Sequence, residues 1–175
     1  MTENLLEMFL SRMNKTGFVL ETGTKRYGPN STSRRHLWPE ARKSLGVDFE
    51  DGLDVDVVAD LEELSKHFDI NSVDAIFSAS TFEHIRRPWI AAQEMLKVLK
   101  KGGVMFVQSH EHFPRHSFPF DYWRFTPMAW DVLFEGASEI ITASEYPCKI
   151  VPTTPIQNWS TNAPSFLNSV CLVVK

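Results

Sequence analysis

The stretch VDAIFSASTFEHIRRPWIAAQEMLKVLKKGGVMFV, at residues 73–107, carries the pattern that decides the fold. It opens with a short apolar run, Val73–Phe77, and closes with another, Val104–Val107, and both have the length of a buried strand. Between them Pro88 suits the first position of a helix that we predict to reach Lys100, with lysines at its negative end. A strand, a helix and a second strand in this order predict two parallel strands joined by a helical crossover.

The same alternation of apolar runs and helical patterns extends over the rest of the 175 residues. It is typical of a mostly parallel sheet that helices cover on both faces, so we predict an α/β fold. The further predicted strands are Thr16–Gly23, Leu45–Phe49, Val55–Asp60, Glu139–Ser144 and Val170–Val174. The further predicted helices are Leu5–Met13 with Thr2 as its cap, one or two turns within Leu37–Lys43, Asp60–Phe68 and Thr126–Phe134. A proline-rich loop, Pro147–Pro164, is predicted between the last two strands.

Length and composition predict one globular domain over residues 1–175, because 43% of the residues are hydrophobic and 23% are charged. The net charge of −4 removes the usual electrostatic reason to expect a nucleic-acid partner. Two cysteines, Cys148 and Cys171, argue against a disulfide-linked secreted scaffold and a cysteine zinc site. Glu3 and Glu7 stand where a signal peptide would be basic, and no apolar run approaches the length of a membrane span. We therefore expect a cytoplasmic protein without a membrane partner, and the sequence predicts no particular oligomeric state.

Three acids end predicted strands, and they are Glu21, Asp48 and Asp60. In an open parallel sheet, ligands bind at the carboxyl ends of the strands, where the strand order reverses. A carboxylate at the end of the second strand can accept the protons of both hydroxyls of a ribose. Phe49 offers a ring face to an adenine, and Gly23 permits a close approach of the backbone to a ligand. Together these residues predict a nucleoside site, although Asp60 could equally cap the helix that follows it.

The segment between the first strand and the next helix argues against a dinucleotide. Residues 23–28 read GTKRYG, which lacks the glycines of the GxGxxG phosphate loop. The 27 residues from Glu21 to Asp48 also exceed the spacing of about 20 that a dinucleotide site has. A nucleoside without a diphosphate fits this segment better.

The predicted strands and the helix after them resemble a known family, the Rossmann-like, or class I, S-adenosylmethionine-dependent methyltransferases. The segments that resemble its first four motifs are VLETG at 19–23, GVDF at 46–49, VVADL at 57–61 and VDAIFS at 73–78. The most specific part is FEHI at 82–85 followed by AAQEMLKVLKKGG at 91–103, which is similar to the "LEH…E.LRVLKPGG" run of the small-molecule methyltransferases grouped as type 11. DYWRFTP at 121–127 also resembles one branch of them, so the resemblance covers about Phe18 to Phe134.

This resemblance implies a mostly parallel sheet of seven strands, an antiparallel C-terminal strand pair and helices on both faces. It implies S-adenosyl-L-methionine as cofactor and the transfer of its methyl group to an O, N or C atom of a small-molecule acceptor. The implied cofactor-binding residues are Glu21, Gly23 and Thr24 at the methionine end, Asp48 at the ribose, Phe49, Asp60 and Leu61 at the adenine, and Ser78 and Ala79 after the fourth strand. Two features depart from the family: Lys25 stands where it usually has a glycine, and the link from Asp48 to Val55 is too short for its usual helix.

The segment HEHFPRH at 110–116 follows the fifth predicted parallel strand, so it should face the same cleft. A histidine titrates near neutral pH and can accept the proton that an acceptor hydroxyl or amine loses. The candidate catalytic residues are therefore His112, His116 and Asp121, with a purely pocket-shaping role as the alternative. Histidines at this spacing match no closed zinc pattern, so we predict no metal site. His84 is expected to cap or brace the start of the following helix.

Two other functions compete with methyl transfer. A protein that binds S-adenosylmethionine or S-adenosylhomocysteine without turnover would share the nucleoside site. An NAD-dependent oxidoreductase would share the fold, but the missing pyrophosphate loop argues against it.

Overall fold

The computed structural model describes residues 4–28, 33–116, 120–157 and 163–175. The first helix, α1 (Leu5–Arg12), begins at the predicted residue and ends one residue earlier than predicted, and the predicted cap, Thr2, lies outside the described residues. Asn4 caps the helix, because its side-chain oxygen accepts a hydrogen bond of 3.0 Å from the amide of Leu6.

Seven strands form one sheet, which confirms the predicted fold class. They are β1 (Phe18–Thr22), β2 (Lys43–Asp48), β3 (Val57–Val58), β4 (Val73–Ala79), β5 (Leu99–His110), β6 (Glu139–Cys148) and β7 (Ser165–Val174). Their order is β3-β2-β1-β4-β5-β7-β6, and β7 runs antiparallel to both of its neighbours while the other pairs are parallel. The strand order reverses between β1 and β4, which is where an open parallel sheet forms a ligand crevice.

Helices cover both faces of the sheet. On one face, α2 (Pro88–Val98), α3 (Pro127–Leu133) and a 3-10 helix at Leu61–Lys66 enclose an apolar core with Leu64, Met95 and Trp130 at its centre. On the other face, α1 and Trp38 bury a second core. In the part of the chain that the structure describes, no helix is both long and apolar enough to cross a membrane.

The region between β1 and β4 has less regular structure than predicted. A 3-10 helix at Arg35–Leu37 replaces the turns expected within Leu37–Lys43, and β3 keeps only two residues of the predicted strand Val55–Asp60. The predicted helix Asp60–Phe68 is the 3-10 helix Leu61–Lys66, in which Glu63 is not helical. The amide of Ser65 donates to the Glu94 carboxylate of α2 at 2.8 Å, so a tertiary contact replaces an α-helical hydrogen bond there.

The connection 49–56 between β2 and β3 contains no helix, which agrees with its shortness in the sequence. Ion pairs join it to earlier segments: Lys25–Glu50, Arg26–Asp54 and Arg35–Asp56. This edge of the sheet is therefore held by charged contacts.

α2 ends at Val98, two residues before the predicted end, and β5 begins at once with Leu99. The amide of Ser72 donates to the carbonyl of Val98 at 2.9 Å, and Leu99 pairs with Val73 of β4. The residue before β4 thus donates to a carbonyl at the end of the helix, which has no partner within the helix. The next residue of the chain already belongs to the sheet. β6 and β7 are also longer than predicted, and Pro147 lies within β6, an edge strand where a missing amide is tolerated.

Candidate active site

A cavity of about 830 Å³ lies at the carboxyl ends of β1, β2, β4 and β5, at the point where the strand order reverses. Its volume is in the range of small-molecule sites. Most of the predicted cofactor residues line it, namely Glu21, Gly23, Asp48, Phe49, Asp60, Leu61 and Ala79. Thr24 and Ser78 are buried outside the lining, and their hydroxyls have no hydrogen-bond partner among the described residues.

Glu21 ends β1 with a side chain that is buried although it is charged. Its carboxylate accepts hydrogen bonds from the hydroxyl of Ser33 at 2.6 Å and from the amide of Arg34 at 2.7 Å. These bonds compensate the cost of burying the charge and fix the segment after residue 32 beside β1. Each carboxylate oxygen has a second lone pair, so Glu21 can accept further donors from a ligand.

Gly23 has a backbone that only glycine adopts easily, with φ of +69°. A Cβ at this position would lie 2.1 Å from the hydroxyl oxygen of Thr81, which leaves no space for a side chain. The amide of Gly23 donates to the carbonyl of Val47 at 2.8 Å, so the turn is joined to β2. The cavity wall here is bare backbone.

Asp48 ends β2 and is also buried. Its carboxylate accepts from the amide of Lys25 at 3.0 Å and from the amide of Glu50 at 3.3 Å. The ammonium of Lys25 pairs with the Glu50 carboxylate and lies 5.1 Å from the ring centroid of Tyr27. The lysine that replaces the family's glycine therefore directs its charge to a neighbouring acid. Phe49 is 47% exposed and presents its ring to the cavity.

Tyr27 lines the cavity on the same side. Burial, together with the charges of Asp48 and Glu50, raises the pKa of Tyr27 to about 12. The phenol is therefore protonated at neutral pH and can donate a hydrogen bond.

Asp60 caps the 3-10 helix that follows it, since its carboxylate accepts from the amide of Glu62 at 2.9 Å. This confirms the capping alternative that the sequence left open. Asp60 and Leu61 also line the cavity, so capping does not remove Asp60 from the site.

The opposite end of the cavity contains a group of side chains that we call the histidine cluster: Glu83, His84, His110 and His116. Glu83 is fully buried behind the wall, and its Oε2 accepts from the hydroxyl of Ser109 at 2.6 Å. Its Oε1 lies 3.1 Å from Nε2 of His110 and 3.8 Å from Nε2 of His84. The three imidazoles thus surround one buried carboxylate.

Ring contacts hold the imidazoles of the cluster in place. The His116 ring lies edge-on to both His84 and His110, with centroid distances of 5.0 and 5.2 Å. His110 stacks on Phe113 at 4.1 Å. Burial lowers the pKa of His110, and the charge of Glu83 acts in the opposite direction.

The structure separates the three candidate catalytic residues. His116 lines the cavity, whereas His112 lies outside the lining and its Nδ1 donates to the carbonyl of Phe166 at 3.0 Å. Asp121 also lies outside the lining and accepts from the amide of His116 at 2.8 Å. Its hydrogen bonds with the Arg124 guanidinium hold the pKa of Asp121 well below its usual range.

Sequence reasoning missed the role of Glu83 and treated His84 only as a brace for the next helix. The available indication was that both residues follow β4 closely, while His110 ends the neighbouring strand β5. Because parallel neighbours end at the same edge, these residues had to meet at the cavity.

Comparisons with known proteins agree with this architecture. Residues 30–107 match the family model described as a methyltransferase domain, of type 11. Among solved structures, a SAM-dependent methyltransferase from Archaeoglobus fulgidus is similar at 15% identity and a TM-score of 0.68, covering 98% of this chain and 91% of that one. A SAM-dependent methyltransferase from Thermotoga maritima is similar at 16% identity and a TM-score of 0.60, covering 91% and 82%.

A third solved structure is phosphoethanolamine N-methyltransferase 2 of Haemonchus contortus, in complex with phosphomonomethylethanolamine and S-adenosylhomocysteine. It is 19% identical with a TM-score of 0.58, and the match covers 99% of this chain and 52% of that one. These likenesses concern the fold. A search of curated proteins finds no match.

Proposed function

We propose that this chain is a class I S-adenosylmethionine-dependent methyltransferase that methylates an O, N or C atom of a small-molecule acceptor, and the match of residues 30–107 to the type 11 methyltransferase domain supports this. One observation carries the proposal. A single cavity of about 830 Å³ joins the buried carboxylates Glu21 and Asp48 at one end to the histidine cluster at the other. Such a cavity can hold a methyl donor and an acceptor side by side.

The hydrogen-bond acceptors at the carboxylate end of the cavity suit S-adenosylmethionine. Its ammonium and ribose hydroxyls are hydrogen-bond donors, and Glu21 and Asp48 offer only acceptors. Gly23 lines the cavity without a side chain of its own, and Phe49 presents an aromatic face. When bound, this cofactor supplies a methyl group on a sulfonium, which is already activated for transfer.

We assign the roles as follows. Glu21 and Gly23 hold the methionine end, Asp48 holds the ribose and Phe49 packs on the adenine. Asp60 and Leu61 border the adenine edge, and Ala79 borders the cofactor after β4. Thr24 and Ser78 support the wall from behind, because neither lines the cavity.

On the acceptor side, His116 contacts the acceptor, since it is the one of the three candidate residues that lines the cavity. Asp121 positions His116 by accepting a hydrogen bond from its backbone amide. His112 lies outside the cavity lining and is hydrogen-bonded to the carbonyl of Phe166. The main contribution of the chain is to hold the two reactants close and aligned, which can supply a large share of a rate enhancement. That a histidine accepts the acceptor's proton stays a prediction.

The proposal includes a single methyltransferase domain over residues 1–175, which the one continuous sheet supports. It also includes a cytoplasmic location, which the two free thiols Cys148 and Cys171 support. A small acceptor is favoured over a nucleic acid by the net charge of −4.

The test begins with calorimetric titration of S-adenosylhomocysteine and of NADH. The protein is then incubated with methyl-labelled cofactor and a panel of small molecules that carry a hydroxyl, an amine or an acidic C–H group. We expect that S-adenosylhomocysteine binds, that NADH does not bind and that the labelled methyl group is transferred to at least one acceptor. Binding without transfer across the whole panel would favour a non-catalytic binding protein. Binding of NADH in place of S-adenosylhomocysteine would overturn the proposal.

A further inference from the structure

The histidine cluster brings together donor atoms of the kind that transition metals prefer. One oxygen of Glu83 and one ring nitrogen each of His84 and His116 all lie within 4.8 Å of one another. A carboxylate and two imidazoles are the ligands of several catalytic zinc and non-haem iron sites. Metal–ligand bonds of about 2.0–2.2 Å place such atoms roughly 3.4 Å apart, so the distances between the ligand atoms must shorten by up to about 1.4 Å around an ion.

The outer nitrogens of these rings face acceptors. Nδ1 of His84 contacts the carbonyl oxygen of Phe120, and Nδ1 of His116 lies 3.3 Å from the carbonyl oxygen of Pro114 and 3.5 Å from Asp121. Because a carbonyl oxygen can only accept, Nδ1 of each ring carries the hydrogen. In the neutral rings Nε2 then carries a lone pair, and metal-ligating histidines have this tautomer when their other ring nitrogen donates to a carbonyl or carboxylate oxygen.

Glu83 supplies the charge that a cation would balance. Its side chain is fully buried, and its Oε1 receives no hydrogen bond from the described residues, although Nε2 of His110 lies 3.1 Å away. Nε2 of His84, with its lone pair, lies 3.8 Å from this oxygen. A positive charge here, either a proton on an imidazole or a metal ion held between the carboxylate and the rings, would stabilise the buried carboxylate.

We propose that Glu83, His84 and His116 bind a divalent transition-metal ion at the acceptor end of the cavity, with His110 beside it. This reverses the prediction of no metal, which considered only the spacing of the histidines within residues 110–116. Glu83 and His84 come from a different loop, and the fold brings them to the third histidine.

The site has room for a further ligand. Three protein ligands leave at least one coordination position of such an ion open, and His84 and His116 line the cavity. The open position suits an oxygen donor of the acceptor, such as a hydroxyl beside a second oxygen. This last step rests on the proposed function, whereas the metal site itself does not.

The experiment uses the full chain without an affinity tag, treated with EDTA and dialysed, and titrated with cobalt(II). We expect about one ion per chain, with visible absorption bands of a protein-bound cobalt site, and displacement of cobalt by zinc. Glu83→Gln and His84→Ala should each weaken cobalt binding about 100-fold or more, because losing a group that only hydrogen-bonds a metal ligand already costs about 10–100-fold. His67→Ala removes an exposed histidine far from the cavity and should bind as the unaltered chain does.

Absence of saturable binding, or binding that His67→Ala weakens as much as the cluster variants, would overturn the metal site. Thermal unfolding and S-adenosylhomocysteine affinity check that each variant is folded, and His84→Ala carries the test if Glu83→Gln is not. Stoichiometric cobalt binding without methyl transfer to any acceptor supports the metal site while the proposed function fails. Methyl transfer at an unchanged rate after complete metal removal would overturn the acceptor's bond to the ion.

Discussion

Replacement of Asp48 by asparagine tests the cofactor end of the cavity. Asp48 is 6% exposed, and its carboxylate already accepts the amides of Lys25 and Glu50. Asparagine keeps the size and one acceptor oxygen of the side chain but removes the charge and introduces a donor. Hydrogen bonds to a charged group contribute about 1.5–3 kcal/mol. We therefore expect the dissociation constant for S-adenosylhomocysteine to rise about 10-fold to 140-fold.

The assay is isothermal titration of both proteins at the same salt concentration. The matched control is Asp51→Asn, an exposed acid three residues further along whose carboxylate accepts from the amide of Gly52 and from no other donor in the described part of the chain. It should change affinity by no more than about twofold, as surface substitutions usually do. Thermal unfolding shows whether the Asp48 variant is folded. An unchanged dissociation constant in a folded Asp48→Asn protein would refute our placement of the ribose.

Three further predictions concern the fold around the site. Gly23→Ala should lower the free energy of unfolding in urea by about 1–3 kcal/mol, because φ is +69° and the new Cβ meets a threonine hydroxyl at 2.1 Å. Gly28→Ala, whose new Cβ meets no atom of a more distant described residue within 4 Å, should not lower it, and equal losses would contradict the argument. Leu64→Ala should lower the free energy of unfolding by about 2–5 kcal/mol, because Leu64 is fully buried. Met128→Ala should change it little, because Met128 is 77% exposed. A Leu64→Ala protein nearly as stable as the unaltered chain would show that the Leu61–Lys66 helix does not belong to the core. Burial raises the pKa of Asp74, but the hydrogen bonds from a lysine, a backbone amide and an asparagine outweigh burial, so the pKa is lowered overall. The ionised Asp74 therefore stabilises the fold above its unfolded pKa of about 4, and this stabilisation is lost as the pH falls through the folded pKa. Asp74→Asn should therefore be less stable at pH 7 and approach the unaltered chain in acid, and a constant difference across urea titrations at pH 2–7 would count against this.

The sequence was sufficient for the sheet but not for its edges. Apolar runs such as Val73–Phe77 identify buried strands well, because parallel strands covered on both faces need apolar residues throughout. The two-residue β3 and the 3-10 helix at Leu61–Lys66 depend on contacts with distant residues, such as the Glu94 carboxylate on the Ser65 amide. No local pattern encodes such a contact.

The cavity lining was predictable in part for a similar reason. Side chains alternate across a strand, so Phe77 and Ala79 face the cavity while Ser78 between them does not. The sequence located the end of β4 but not the face on which each side chain lies. The meeting of Glu83 with His110 needed the pairing of β4 with β5, which is a property of the sheet.

The connection 49–56 has a consequence for how the protein responds to its medium. The faces of the sheet are covered by buried apolar side chains, whereas this edge depends on the partly exposed pairs Arg26–Asp54 and Arg35–Asp56. Dissolved ions screen contacts of that kind and leave apolar burial intact or strengthen it. A higher ionic strength should therefore loosen the connection 49–56 before the rest of the domain. Amide hydrogen exchange would then be faster in this connection than elsewhere.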